Sequence, residues 1–337
     1  MPLNGDFDVL LQTSSPKILI DMPIPFPQQL FGLLRCPCDH GTLQDDATAS
    51  MLTCQSCGAA FPVLDGVPVL INPSNSLFSH RLVPDHYSPQ HSSFLKSLAK
   101  AVIPSITANV ASERNYTYLR TMLLKQSSTP RVLIVGGGNL GKGLLRLLDD
   151  PGMTSVETDV YFGARVSVIA DGHDLPFADG TFDAVVCQAV LEHVLDPYRC
   201  VAEIHRTLKP GGLVYAETPF MQQVHAGPYD FTRFSLLGHR RLFRHFEQEN
   251  AGTVCGPGTA LVWAIFYFLR SFSPSPKWHR VSQMISCCTL FWLKYFDYWL
   301  ATRPVANDAA SGVFFMGRRS DSVLSDQDLI RLHWSIT

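Results

Sequence analysis

No run of basic residues occurs in this 337-residue chain, and its charges nearly cancel: 27 Lys and Arg stand against 29 Asp and Glu. Electrostatic capture of a polyanion needs clustered cations, so no nucleic-acid partner is expected. Long hydrophobic runs are also missing. The stretches 260–269 and 284–293 are apolar or nearly so, about half of the ~20 residues that span a bilayer. The first residues have neither a basic n-region nor an apolar h-region, so no secretory leader is expected and the predicted location is cytoplasmic. The nine cysteines are odd in number and form no disulfide-like framework, which fits a reducing compartment. Internal repeats and long low-complexity tracts are absent.

What is present divides the chain by texture. Residues 1–30 are Pro-rich and aperiodic and read as an irregular lead-in. Residues 31–73 contain Cys36, Cys38, Cys54 and Cys57, followed by Phe61-Pro62 and a hairpin-like Asp65-Gly66. Residues 74–129 hold two helix-like stretches, 94–103 and 112–125, expected to link the small domain to a larger one and to cover its ligand cleft. From 130 to 220 strand and helix patterns alternate, predicting a doubly wound α/β core with a mostly parallel sheet. Patterns at 243–255 and 311–317 predict further strands, so this domain is drawn at 130–320, with a tail at 321–337. Within it lies an apolar insertion, 258–305, dense in Trp, Tyr and Phe. Its length fits a helical hairpin buried over the core, and its aromatics fit a peripheral membrane contact through 260–299.

The core opens with Val132-Leu133-Ile134-Val135, then Gly136-Gly137-Gly138-Asn139-Leu140-Gly141. A glycine-rich turn between strand and helix lets a ligand approach the backbone closely, and the helix N-terminus favours a negative group there. Asp159, at the end of the second predicted strand, is placed to accept hydrogen bonds from ribose hydroxyls, with Glu157 as its rival. Taken alone, this arrangement fits a nicotinamide dinucleotide or S-adenosylmethionine (SAM) equally.

The later segments decide between them. Asp171-x-x-x-Leu175-Pro176-Phe177, Phe182-Asp183-x-Val185, Glu192-His193 and Leu208-Lys209-Pro210-Gly211-Gly212 follow in order. This run resembles the class I SAM-dependent methyltransferases, particularly the group typified by the ubiquinone and menaquinone biosynthesis enzymes. The resemblance implies that Gly136 and Gly138 face the methionyl end of SAM and that Asp159 holds the ribose. It further implies that Asp171, with Gly172 and His173, receives the adenine, and that Gln188 lies beside the methionyl group. His193 is expected to pack and hydrogen-bond rather than catalyse. Where the family places an acid two residues before the first glycine, this chain has Ile134. That departure leaves two alternatives open: a nicotinamide-dinucleotide-binding protein and a non-catalytic scaffold of the same fold.

The cysteine segment resembles the small zinc-ribbon domain that activates several tRNA, rRNA and protein methyltransferases. The resemblance implies a structural zinc ion on Cys36, Cys38, Cys54 and Cys57, and it raises RNA or translation-protein methylation as an alternative function. The first pair here is Cys-x-Cys rather than Cys-x-x-Cys, so Asp39 and His40 are rival fourth ligands to Cys38.

After the fifth predicted core strand comes His225-Ala226-Gly227-Pro228-Tyr229-Asp230-Phe231-Thr232-Arg233-Phe234. It resembles a His-Asp-Tyr-x-Arg-Phe segment of bacterial methyltransferases encoded with surface-glycan enzymes, with altered spacing. His225 is the expected general base, since imidazole titrates near neutrality. Asp230 is expected to orient it or act itself, and Arg233 to hold an anionic or hydroxyl-rich acceptor. An alternative is that Asp230 and Arg233 only pair to fix the loop. The expected acceptor is an oxygen atom of a small molecule, a glycan or a lipid-like compound.

Overall fold

The computed structural model describes residues 25–46, 50–75, 77–78, 104–138, 141, 143–225 and 227–336. The expected lead-in up to residue 24, the helix at 94–103 and the Asn139-Leu140 step of the glycine motif lie outside them.

The strands are β1 (Leu43–Asp46), β2 (Met51–Cys54), β3 (Ala60–Leu64), β4 (Val67–Leu70), β5 (Arg131–Val135) and β6 (Thr154–Asp159), then β7 (Val168–Ala170), β8 (Phe182–Gln188), β9 (Leu208–Pro219), β10 (Phe246–Cys255) and β11 (Gly312–Arg319). They make one sheet in the order β1-β2-β3-β4-β7-β6-β5-β8-β9-β11-β10. The stretch from β7 through β6, β5 and β8 to β9 is parallel, and β11 and β10 close it antiparallel.

The apolar run of β5 is buried on both sides, as a central parallel strand requires. Leu133 and Val135 join one core cluster with Val185, Val201 and Ile204. Val132 and Ile134 join the other with Tyr116, Leu119, Leu123 and Leu147. The helices that cover these faces include α1 (Ser112–Gln126), α2 (Leu145–Leu148) and α3 (Pro197–Thr207). Helix α3 starts where Pro197 fixes the first turn and the Asp196 side chain accepts from the Arg199 amide, a favourable N-cap. The core is therefore a doubly wound α/β fold.

The cysteine segment builds its own antiparallel hairpins. Asp65 and Gly66, with φ of 50° and 78°, make the two-residue turn between β3 and β4 that tight hairpins favour. Its last strand does not stop at a domain border, because β4 pairs in parallel with β7, Val69 opposite Ile169 and Leu70 opposite Ala170.

Beyond α4 (Leu236–Leu242), the apolar insertion folds as α5 (Pro257–Arg270), α6 (Pro276–Thr289), a 3₁₀ segment Phe291–Phe296 and α7 (Asp297–Leu300), with α8 (Asp326–Ile336) near the C-terminus. It is not wholly a buried hairpin. Val262, Trp263 and Phe266 of α5 are buried, while Leu261, Phe268, Phe272, Trp292 and Trp299 face outward.

Candidate active site

Strand order reverses at β5, and ligands of open α/β sheets bind at the carboxyl ends of strands beside such a point. Gly136 follows β5 with φ of 78°, and a Cβ there would lie 2.2 Å from Cγ2 of Val190. Only glycine fits, and the loop after β8 rests against the turn it makes. The Gly136 and Gly137 amides donate to the Thr158 carbonyl at 2.8 and 2.9 Å. Asp159, ending β6, accepts from the Gly138 amide at 2.9 Å and the Tyr161 amide at 3.1 Å. Burial nevertheless raises its pKa. Glu157 is held elsewhere, in an ion pair of 2.8 Å with Arg165.

Asp171 follows β7 and is buried. One oxygen accepts from the His173 amide at 2.9 Å and faces His173 Nδ1 at 2.6 Å; the other accepts from Asn75 at 2.6 Å. Burial raises its pKa, but the His173 and Asn75 bonds outweigh that, leaving it below the usual value. His173 Nε2 accepts from the Asp196 amide at 3.1 Å, so the ring carries its proton on Nδ1 and fixes Asp171. A Cβ on Gly172 would touch Cys200 Sγ at 3.4 Å.

Gln188, ending β8, accepts from the Tyr116 hydroxyl at 2.9 Å and donates to Glu217 at 2.8 Å. A Cβ on Gly141 would lie 1.8 Å from its Oε1, so the glycine turn passes directly over this amide. Glu217 also receives Asn109 at 3.1 Å and the hydroxyls of Ser112 and Tyr215. Sequence reasoning did not single out Glu217; an acid directly after the apolar run 213–216 was the available signal. Ile134, in the family's acidic position, is core, and its neighbour in register on β6 is Glu157.

The 225–234 loop docks on the Glu192-His193 turn, whose Glu192 carbonyl accepts from the Phe231 amide at 2.8 Å. His193 Nδ1 meets the Tyr229 carbonyl at 2.7 Å and His225 Nδ1 the Gln223 carbonyl at 3.3 Å. Carbonyls only accept, so the His193 ring is protonated on Nδ1 and keeps a lone pair on Nε2; His225 Nδ1 lies also 3.4 Å from the Asp230 carboxylate and 3.5 Å from the Arg233 guanidinium. The rings stand edge to face, 5.1 Å apart. Burial lowers the pKa of each, and His193 further lowers that of His225.

Between them lies the residue that sequence reasoning passed over except as part of a motif. Glu192 is buried, and neither of its carboxylate oxygens has a hydrogen-bond partner among the described residues; His193 Nε2 lies 3.8 Å from Oε1. Burial raises its pKa to about 8. Glu192, His193 and His225 offer ligand atoms within 4.8 Å of one another, close enough to share a proton or a cation.

Asp230 and Arg233 pair with each other, the alternative weighed for this loop, and Asp230 also holds His225, its Oδ2 3.4 Å from Nδ1. The Asp230 carboxylate takes two bonds from Arg233, one of them 2.7 Å, and one from the His225 amide at 2.8 Å. Burial raises its pKa, but these partners bring it down to about 2. Arg233 also donates to the carbonyls of Gln222, Gln223 and Thr232 at 2.9, 3.1 and 2.9 Å. The pair clamps the loop. Phe78, Tyr161 and Tyr229 make an aromatic row beside Asp159, with centroid distances of 5.9 and 6.1 Å, and no sequence spacing announced it.

In the cysteine segment, the set that comes together is Cys36, Asp39, Cys54 and Cys57, with ligand atoms within 4.8 Å. Cys38 is not in it. Its thiol is exposed and faces Asn72 at 3.8 Å, while still interacting with the Cys36 and Cys57 thiols at the edge of the group. The backbone amides of Ser56 and Cys57 point at Cys54 Sγ, at 3.4 and 3.5 Å, and outweigh burial in lowering its pKa. Three sulfurs and a carboxylate suit a tetrahedral zinc ion.

Residues 147–216 match the family described as a methyltransferase domain, and residues 29–66 match the Trm112p-like protein family. The chain carries a methyltransferase domain behind a Trm112p-like domain. The methyltransferase match begins beyond the glycine turn, so Ile134 and Gly136 lie outside it.

An uncharacterized methyltransferase of Mycobacterium sp. (strain KMS) is 37% identical over 91 residues, 24% of this chain and 36% of that protein. A ubiquinone/menaquinone biosynthesis C-methyltransferase of Desulfotalea psychrophila is 48% identical over 44 residues, 13% of this chain and 18% of that one. The chain thus spans about a third of the length of the first curated relatives it matches.

Among solved structures, a complex of the Haloferax volcanii Trm112 methyltransferase activator with a methyltransferase is similar at 20% identity and a TM-score of 0.36. It covers 62% of this chain and 92% of that one. A sarcosine dimethylglycine methyltransferase from Galdieria sulphuraria is similar at 15% identity and a TM-score of 0.41, over 62% and 87%. Across the border between the two domains, Asn75, just past the Trm112p-like match, reaches Asp171 of the methyltransferase domain, and Asn72 reaches Asp174 at 3.3 Å.

Proposed function

We propose that the protein transfers the methyl group of SAM to an oxygen atom of a small-molecule, glycan or lipid-like acceptor. The observation that carries this reading is the pair of neutral, backbone-oriented histidines over buried Glu192, in a turn packed against Gly136. SAM supplies an activated methyl on a sulfonium, so the protein has chiefly to align the acceptor and take its proton. The cradle at Gly136, which no Cβ fits, suits the close approach of the methionyl end. Asp159 and the aromatic row beside it suit the ribose and base, and Asp171, fixed by His173 and Asn75, suits the adenine amino group.

His225 takes the acceptor proton on Nε2 as the acceptor oxygen bonds to the methyl carbon and the carbon–sulfur bond breaks. Its Nδ1–H stays between the Gln223 carbonyl and the Asp230 carboxylate, two acceptors that hold the tautomer. Asp230 and Arg233 are positioning residues that set the height of the loop. Glu192, whose pKa burial raises, stands beside the His193 ring as a carboxyl that can donate a hydrogen bond into the cluster, and the proton taken by His225 passes to solvent as the methylated product leaves.

The test is calorimetry with SAM and S-adenosylhomocysteine, paired with methyl transfer to extracted metabolites and lipids. The wild type binds both nucleosides, Asp171→Ala binds them weakly, and His225→Gln binds normally but transfers little. Absence of binding by the wild type overturns the reading. The Trm112p-like match favours a second acceptor class, RNA or a translation protein. Loss of transfer from cell extract after RNase treatment would select RNA over the proposed acceptor.

A further inference from the structure

The insertion that follows β10 has three helical pieces, and each is apolar on the side it turns to solvent. On α5 and the turn after it, Leu261, Phe268 and Phe272 are exposed at helical spacing, opposite buried Val262, Trp263 and Phe266. On α6 the exposed set is Val281, Met284 and Ile285, opposite buried Ser282, Ser286 and Cys287. From 291 to 300 it is Trp292, Tyr295, Phe296 and Trp299, opposite buried Lys294 and Asp297. On α6 and the 291–300 piece this inverts the usual helix, with polar residues inside and Trp, Phe and Met outside, while α5 is apolar on both sides. Phe272 is 69% and Trp299 58% exposed. Soluble surfaces rarely leave so much aromatic area uncovered.

The charges on the same pieces have one sign. Between 257 and 305 the exposed ionic residues are Arg270, Lys277, Arg280 and Arg303. The single acid, Asp297, is buried and spent on α5, accepting from the Gly258 and Thr259 amides at 2.7 and 2.9 Å and from the Thr259 hydroxyl at 2.7 Å. Arg270 lies over the Tyr267 ring and Arg303 over the Trp299 ring, at 5.2 and 4.8 Å. Cations at the rim of an aromatic face are the arrangement that settles into the headgroup layer, rings at the acyl boundary and guanidinium groups on lipid phosphate. No helix among the described residues is long and apolar enough to cross a membrane, so the contact is with one leaflet. The face also adjoins the reacting centre. The Tyr267 hydroxyl of α5 donates to the Val224 carbonyl at 2.5 Å, one residue before His225.

We propose that the 257–305 helices seat this protein on an anionic lipid surface, and that the methyl acceptor is a compound held in that surface. The second half rests on the methyl-transfer reading; the first does not. The hydrocarbon face supplies apolar burial, and each basic residue adds about fivefold in affinity for an anionic over a neutral surface.

The full chain is sedimented with phosphatidylcholine vesicles, with and without phosphatidylglycerol, at low and high salt. Binding should be tight only with phosphatidylglycerol and should weaken with salt. A Phe272→Ser, Trp292→Ser, Trp299→Ser variant should lose it, and Lys277→Glu with Arg280→Glu should lose it on anionic vesicles, both with unchanged circular dichroism. All five side chains are exposed, and the circular dichroism of both variants checks that the fold is kept. Indifference of the wild type to both vesicles overturns the proposal. So does a concentration-dependent dimer in sedimentation velocity that the triple-serine variant abolishes, which would make the face a contact between copies.

Calorimetry with SAM on the same preparation separates the two readings. SAM binding without vesicle binding removes the lipid surface alone. Vesicle binding without SAM binding keeps the surface and removes the acceptor.

Discussion

Glu192→Gln should make this protein more stable at neutral pH and less active. In the folded chain Glu192 is buried with a pKa of about 8, against an ordinary value of 4.5. Between those values the folded state keeps a proton that the unfolded state has released. Stability from this group is therefore complete below pH 4.5 and is lost as pH rises through 8, at about 1.4 kcal/mol per pH unit. At pH 7 two and a half units of that range have been crossed, so the wild type carries a penalty of about 3 kcal/mol relative to an uncharged residue of the same shape. Glutamine has that shape and no proton to lose. Urea unfolding of both proteins from pH 5 to 8 gives the difference directly, since the shared titrations of His193, His225 and His239 largely cancel. The expected difference grows steadily in favour of Glu192→Gln as pH rises, while methyl transfer falls and SAM affinity stays. A difference that is flat with pH would mean that Glu192 ionises normally, and the acid-base reading of the cluster would fall with it.

Gly136→Ala should reduce SAM affinity more than tenfold, because a left-handed φ and a methyl against Val190 together cost over ~1.4 kcal/mol; adding Val190→Ala should restore part of it by calorimetry. His239 is buried with no hydrogen-bond partner on either ring nitrogen among the described residues, and burial lowers its pKa to about 3. Its folded pKa lies below the unfolded value of 6.5, so stability is present above pH 6.5 and is lost as pH falls towards 3. Three and a half units correspond to about 5 kcal/mol. His239→Leu should flatten that acid limb in urea titrations, and an unchanged limb would contradict the burial argument.

The doubly wound core could be read in the sequence because its signals are local and redundant. A buried run ending in Gly136, an acid at Asp159 and the Leu208-Lys209-Pro210-Gly211-Gly212 turn each fix a strand end by themselves. Glu192 and Glu217 could not be read in this way. A lone acid in sequence looks solvated, and only packing reveals that one is buried without a hydrogen bond among the described residues and the other takes four donors. The choice among Cys38, Asp39 and His40 could not be read from spacing either, because it depends on which side chain the Cys36 turn brings within reach of Cys54 and Cys57, and the structure gathers Asp39 there. The clamp between Asp230 and Arg233 was visible as a possibility at a spacing of three residues, but choosing it over catalysis needed the loop carbonyls that Arg233 also holds. The insertion was legible in composition and not in orientation, because an amphipathic helix and an inverted one share the same period.

The continuous sheet gives the cysteine centre a route to the ligand site. Cys36, Asp39, Cys54 and Cys57 anchor the hairpins that end in β4, and β4 pairs with β7 at Val69 and Leu70, one residue short of Asp171. Asn75, five residues beyond β4, completes the Asp171 carboxylate at 2.6 Å. If the four ligands lose their ion, β4 frays and the Asn75 bond to Asp171 goes with it. A hydrogen bond to a charged group contributes about 1.5–3 kcal/mol, so SAM affinity should fall between about tenfold and about a hundredfold. Chelation and Cys57→Ser should both produce this loss, and Asn75→Ala should produce it with the metal still bound. The discriminating measurement is metal content alongside SAM affinity for all three. If chelation unfolds the hairpins while SAM binds as before, the Trm112p-like domain is a passenger at the sheet edge, and Asp171 is held by His173 alone.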